Sequence, residues 1–224
     1  NIQATMQLSW RRLARLSRPR RWSYLFGPYL LGVLLGAREP LELAQPLVLL
    51  FAVFFLAPAN LLLYGIGAVF DGAIFDEAAP PTAEEAPLLL QLVMAATLPF
   101  LLLLPLANGA ASLAMLAFLF FALEYSAPPL SARKLPWPGA AFAVVYICPA
   151  VFGYFLADGQ SLQWPIVAAG WLWAMAARIY GTVPAIFTDR AAGTRTVATQ
   201  LGVQGALGLC LTLSISAAVL ALPF

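Results

Sequence analysis

There is no histidine anywhere in these 224 residues, and only two cysteines. Without imidazole the chain has no histidine general base, no histidine-ligated haem and no histidine zinc site of its own. Cys148 and Cys210 stand alone inside apolar stretches, with no Cys-X-X-Cys pair, and read as small buried hydrophobes. Charge is equally scarce. Only 10% of residues are charged and 62% are hydrophobic, whereas soluble domains carry about 25% charged residues. A water-facing surface cannot be covered with that supply, so the chain reads as an integral membrane protein.

A helix needs about 20 apolar residues to cross a bilayer. Charge-free windows run 22–37, 43–70, 86–123, 135–157, 159–177 and 196–224. The third is too long for one helix and divides at Asn108-Gly109, a turn signal. The fifth extends past Arg178 to about Thr188. The reading is all-α: a single polytopic bundle over 1–224 with seven transmembrane helices and a basic N-terminal segment, 1–21. The helices fall at 22–38, 43–70, 87–106, 110–125, 138–157, 164–188 and 200–223. Lipid leaves backbone polar groups without water, so helices are the economical spanning form, and prolines such as Pro58 and Pro184 are tolerated as kinks. The first residue is Asn1. Arginines precede the first apolar run and further runs follow it, so Trp22 onward reads as a span, not a cleaved leader.

Seven crossings place the N-terminus and the 2–3, 4–5 and 6–7 loops on one face. That face collects Arg11, Arg12, Arg15, Arg18, Arg20, Arg21, Arg133, Lys134, Arg190 and Arg195, and the other holds Arg38. The positive-inside rule then makes the N-terminus cytoplasmic, with a bacterial inner membrane as the expected location. Membrane lipids are expected partners and nucleic acid is not. The basic segment serves as a topology signal, as a contact for anionic headgroups at about 1 kcal/mol per residue, or as both. Carboxylates gather on the same face: Asp71, Asp76, Glu77, Glu84 and Glu85 in the 2–3 loop, and Asp189 opening the 6–7 loop. Arg178, deep in the sixth helix, is costly in lipid and must face a cavity or a partner, for which Glu124 is a candidate. It falls seven residues before Ala185, on the same helix face.

Three segments are too specifically polar to be loop filler: Asn60 to Asp71 with Tyr64-Gly65 inside it, Tyr125-Ser-Ala-Pro-Pro-Leu130, and Val183 to Gly202 with Asp189-Arg-Ala-Ala-Gly193 inside it. Together with Arg18-Pro19 they resemble the UbiA superfamily of intramembrane prenyltransferases, in its lycopene elongase-like branch. The resemblance covers nearly the whole chain. It implies a horseshoe of membrane helices around a central cavity, and an enzyme that transfers a prenyl group from an isoprenyl diphosphate with magnesium. Magnesium wants several oxygen ligands in octahedral geometry. The family supplies them in an Asn-Asp-X-X-Asp-X-X-X-Asp run after helix 2 and an Asp-X-X-X-Asp run after helix 6. The family usually has eight or nine helices, one or two more than these windows give.

This sequence departs from that pattern. The family's leading Asn and Asp fall on Gly67 and Ala68, its last Asp on Phe75, and the first Asp of the second run on Ala185. Asp71 and Asp189 survive as remnants, one at each metal cluster. The basic side is better kept: Arg133 or Lys134 stands where the family binds diphosphate, and Arg190 and Arg195 flank the second run. Those four are candidate anion ligands, with topology and headgroup contact as the alternative. Asn60, Tyr64, Tyr125 and Arg178 are candidate cavity residues. The many aromatics, Phe51, Phe54, Phe55, Phe118 and Phe152 among them, would line a polyene slot or simply pack.

Two functions compete. In the first, the chain is catalytically impaired and serves as a structural or isoprenoid-binding subunit, holding a carotenoid or quinone in a larger membrane complex. Small residues on the sixth helix, such as Ala168, Ala169, Gly170, Ala174, Ala176 and Ala177, would admit a partner helix. In the second, it is an active, divergent prenyltransferase that uses magnesium on Asp71 and Asp189, with Asp76, Glu77 or Glu85 recruited to help.

Overall fold

The computed structural model describes residues 9–71, 81–132, 135–191 and 193–223, and among them every regular element is helical. Phe75, Asp76, Glu77, Arg133 and Lys134 lie outside the described residues, as does the side chain of Asp71. A short helix α1 (Trp10–Leu16) precedes the first span, α2 (Ser23–Gly36). Then come α3 (Pro46–Phe70), α4 (Glu85–Leu106), α5 (Gly109–Ser126) and α6 (Pro136–Leu156). The sixth span is α7 (Trp164–Tyr180), followed by a short α8 (Ile186–Ala191) and a last long helix α9 (Val197–Ala221). A helix stands at each of the seven expected positions, although α7 has only 17 residues. Five are long and apolar enough to cross a membrane by themselves, and the 14-residue α2 is shorter.

Local chemistry explains the boundaries. Asn108 caps α5, its side chain accepting from the Ala111 N–H at 2.8 Å. It splits the long apolar window where the turn signal stood. Thr196 and Thr199 form a reciprocal capping box that starts α9. Within α3, Pro58 breaks the helix and a π-helical turn follows over Leu61–Gly65. The Asn60 side chain donates to the Phe55 and Leu56 carbonyls at 2.9 and 3.1 Å, repairing acceptors that the break leaves open.

One boundary differs from the sequence reading. The sixth span ends at Tyr180, not Thr188. Pro184 has no N–H and disfavours helix at the residue before it, so the chain turns over 181–185 before α8 begins. Arg178 therefore lies in the last turn of α7. Its charge complements the helix C-terminus there. With the break in between, it shares no helix face with Ala185.

The spans form an open arc. α9 packs on α7, α7 on α6, α6 on α2 and α5, α2 on α3, and α3 on α4 and α5. The tightest crossing is α2 on α6. A Cβ on Gly32 would overlap the Ala150 carbonyl, one on Gly36 would overlap that of Tyr154, and one on Gly153 would sit 2.6 Å from the Tyr29 carbonyl. Gly32 and Gly36 are a small-X-X-X-small pair, which lets backbones meet in lipid. The Tyr29 hydroxyl donates to the Val48 carbonyl at 2.6 Å and ties α2 to α3. Behind this contact Phe51, Phe54, Phe55, Phe118 and Phe152 pack edge-to-face, fully buried. These buried rings pack on one another in the bundle's middle. Ala169, Ala174 and Ala176 of α7 are likewise buried within the chain, and Gly170 faces Ile147. Packing inside the bundle thus accounts for these small residues.

Gly32→Ala is expected to force α2 and α6 apart and to destabilise the protein by roughly 1–3 kcal/mol, the usual cost of overpacking. Gly27→Ala, where an added Cβ meets nothing within 4 Å, is the matched control. Thermal melting of both variants in detergent checks this, and equal melting temperatures would refute it.

Candidate functional site

A cavity of about 240 Å³ opens where the N-terminal end of α2 meets the C-terminal ends of α3, α5 and α7. Three arginines reach it from two parts of the chain: Arg18 and Arg21 from the turn before α2, and Arg178 from α7. Three tyrosines line it as well: Tyr64 from α3, Tyr125 from α5 and Tyr146 from α6. Leu63, Gly67, Ser126 and Ala177 complete much of the wall. At 240 Å³ it is smaller than the roughly 300–1,000 Å³ of sites that enclose a drug-sized ligand.

The cations are held against aromatic faces. The Arg18 guanidinium lies 5.3 Å from the centre of the Tyr64 ring, and that of Arg178 lies 5.8 Å from the Tyr125 ring. Such contacts are worth about 0.5–2 kcal/mol, more where water is excluded. Arg18 adopts a left-handed backbone (φ 54°, ψ 74°) ahead of Pro19, a conformation costing of order 1–3 kcal/mol for a residue with a Cβ. The strain turns the chain sharply from α1 into the first span and aims both arginines inward. α1 is anchored by an ion pair between Arg12 and the buried Glu85 at 2.7 Å. Three polar atoms in the wall, Arg178 Nε, the Tyr64 hydroxyl oxygen and Ser126 Oγ, are buried without a hydrogen-bond partner.

Of the sequence candidates, Tyr64, Tyr125 and Arg178 come together in this cavity. Asn60 does not line it, because its amide is committed to the broken turn of α3. Glu124 does not meet Arg178: its carboxylate accepts from the Leu130 N–H at 3.3 Å, and Tyr125, one residue on, takes the arginine instead. Arg190 donates to the Thr199 carbonyl at 3.3 Å and braces the start of α9. Arg195 lines a small neighbouring cleft of about 20 Å³ that also touches Arg178. Arg18, Arg21, Ser126 and Tyr146 were missed as site residues. Arg18-Pro19 and Tyr125-Ser126 were visible as motifs, but nothing in the spacing brings Arg21 or Tyr146 to them.

Asp71 ends the last helical stretch of α3 and Asp189 sits in α8. Gly67 forms cavity wall with no oxygen to offer, while Ala68 packs on the core. Among the described residues no three carboxylates or thiols gather, and no carboxylate lines the cavity. The described part of the cavity wall by itself supplies none of the carboxylate oxygens that an octahedral magnesium ion needs.

Burial pushes the Asp189 carboxyl above the ordinary carboxylate range, while the Arg178 guanidinium pulls it back. A carboxyl raised on folding favours the folded state at acid pH, and that contribution is lost as pH rises through its folded value. Arg178→Gln is expected to raise the Asp189 carboxyl further, because only the opposing influence is removed. Infrared titration, with Arg178→Gln/Asp189→Asn as the reference, measures it. An unchanged or lowered midpoint would contradict the pairing.

Comparison with known proteins follows the same lines. The chain matches no protein-family model. It is 40% identical over 221 residues to a lycopene elongase/hydratase of Halobacterium salinarum, covering 95% of this chain and 80% of that one. It is 36% identical over 208 residues to a lycopene elongase/hydratase of Haloarcula japonica, covering 88% and 69%. In fold it is similar to a UbiA homolog from Archaeoglobus fulgidus, with a TM-score of 0.69 over 92% of this chain and 74% of that one, at 24% identity. The helical arc, the retained runs around Tyr125 and Asp189, and these relatives agree: the chain belongs to the lycopene elongase-like branch of the UbiA superfamily.

Proposed function

We propose that this protein binds an isoprenoid of carotenoid metabolism in the Arg18–Tyr64–Arg178 cavity and does not itself ionise an isoprenyl diphosphate with magnesium. The observation that carries this reading is the make-up of the wall. Gly67 stands in it where the family has an oxygen donor, and arginine and tyrosine supply its polarity. The ligand's polar head lies against the arginines. Its tail leaves through the arc into lipid, because aromatic packing fills the bundle's middle. A carotenoid, a quinone or a related isoprenoid fits that description. Membrane lipids are the remaining partners, and a host complex enters this reading only if gentle extraction recovers one. The basic face points to the cytoplasm by the positive-inside rule, in the cytoplasmic membrane of a prokaryote.

The names of the relatives favour a second reading, a divergent prenyltransferase acting on a lipophilic acceptor such as a carotenoid. Asp71 and Asp189 would then hold magnesium, with Asp76 or Glu77 making up the missing ligands. Purified protein with magnesium and either geranylgeranyl or dimethylallyl diphosphate is expected to release no pyrophosphate. Lipid extracted from the same preparation is expected to contain an isoprenoid, reduced in Ala177→Phe, which fills the cavity. Pyrophosphate release that disappears in Asp71→Ala or Asp189→Ala would establish the transferase reading instead.

A further inference from the structure

Pro58 removes one backbone donor from α3, the N–H that would reach the Phe54 carbonyl. That loss accounts for a break at one point, and does not account for the wide π turn over Leu61–Gly65 that follows it. The turn is packed on α1, α4 and α5, where lipid and apolar side chains offer a backbone carbonyl no partner. Asn60 meets that need. It is fully buried, and its amide donates to two carbonyls, those of Phe55 and Leu56, at 2.9 and 3.1 Å. In an unbroken helix the same two carbonyls would accept from the backbone N–H groups four residues on. A π turn takes in one residue more than an α turn. Everything beyond it therefore stands about 100° round from where a regular helix would put it. Gly67, just beyond the turn, forms cavity wall, while its neighbour Ile66 is buried in the core. With the extra residue taken out of the turn, Ile66 would stand where Gly67 stands.

We propose that Asn60 is a positioning residue for the cavity: by satisfying two carbonyls from the side, it holds the π turn that sets the register of the wall beyond it. The choice is between two registers of one helix. In the present register a side-chain amide supplies the donors and Gly67 faces the cavity. In the regular register backbone N–H groups supply them, and the branched side chain of Ile66 replaces the bare backbone of Gly67. In a cavity of about 240 Å³ that exchange takes room from a ligand. Leu61-Leu-Leu63 suits the turn, because three identical residues present the same side chain whichever of them is the extra one. The inference rests on the cavity being the ligand site proposed above, and adds what sets its shape. Asn60 touches no ligand and acts through α3.

The test uses the full chain in detergent, with Cys148→Ala and Cys210→Ala as background and either Ile66→Cys or Gly67→Cys as the single thiol. Labelling by a charged, water-borne thiol reagent reads which position faces the cavity. With Asn60 in place, Gly67→Cys is expected to label and Ile66→Cys to resist. Asn60→Leu keeps the bulk and removes the donor, and is expected to reverse the pair. Asn60→Ser is expected to reverse it in part, since a serine hydroxyl can donate to the carbonyl four residues back. Deleting Leu61 from the Asn60→Leu chain gives a regular helix one residue shorter, and is expected to restore labelling of Gly67→Cys. Loss of stability alone would raise labelling at both positions, and the deletion would add to the damage. An unchanged pattern in Asn60→Leu, both positions rising together, or a deletion that fails to restore Gly67→Cys would overturn the inference. Should Asn60→Leu not fold, Asn60→Ser carries the comparison, and an unchanged pattern there would overturn it as well. Isoprenoid in the extracted lipid separates the inference from the reading beneath it, and is expected to fall in Asn60→Leu and return with the deletion. A reversed pattern with isoprenoid undiminished would overturn the cavity as the ligand site, leaving Asn60 a role in helix register alone. An unreversed pattern with isoprenoid still lowered by Ala177→Phe would overturn the role of Asn60 and leave the ligand site standing.

Discussion

The contact between α2 and α6 at Gly32, Gly36 and Gly153 is the constraint on which the rest of the arc depends. In lipid, helices gain little by hiding apolar surface from one another, because the surrounding tails are equally apolar. Close van der Waals approach has to take over, and glycine is what permits it. α6 touches α2, α5 and α7, so its position fixes the distances between all the walls of the cavity. Tyr146 sits on its N-terminal half, while Arg18, Arg21 and Tyr24 hang from the start of α2. The buried phenylalanines and the Tyr29 hydroxyl bond reinforce the same junction.

Given that scaffold, the electrostatics follow. Three like charges held within one pocket repel each other, and the low dielectric of a membrane protein strengthens the repulsion. Tyrosine faces offset part of it for Arg18 and Arg178, and Asp189 offsets part of it for Arg178. The carboxylates that remain on this face do not line the pocket among the described residues.

The fold was legible because lipid imposes strong rules. Apolar windows, the Asn108 turn and the parity of crossings were enough to place seven helices. The misplaced end of the sixth helix came from extending an apolar run through Pro184, where backbone geometry outweighs hydropathy. Site residues were partly legible. Tyr64, Tyr125 and Arg178 stood out as polar residues in apolar surroundings, but so did Asn60, whose polarity serves a broken helix. A side chain that repairs backbone and one that faces a ligand look alike in sequence. The choice of Tyr125 over Glu124 as the neighbour of Arg178 is a matter of about 100° of helix rotation, finer than spacing arguments resolve. Arg21 was read only as charge because its role depends on the left-handed turn at Arg18.

That turn has a wider consequence. Basic residues ahead of a first span help decide which way a nascent chain threads through the insertion machinery. Such residues are ordinarily interchangeable in position, since any nearby arginine will do. Here Arg18 and Arg21 also form a pocket wall, pinned by a strained backbone and by the Arg12–Glu85 pair behind them. The same two side chains thus belong at once to the basic run ahead of α2 and to the cavity wall, so a substitution there alters both, whereas Arg11, Arg15 and Arg20 do not line that cavity.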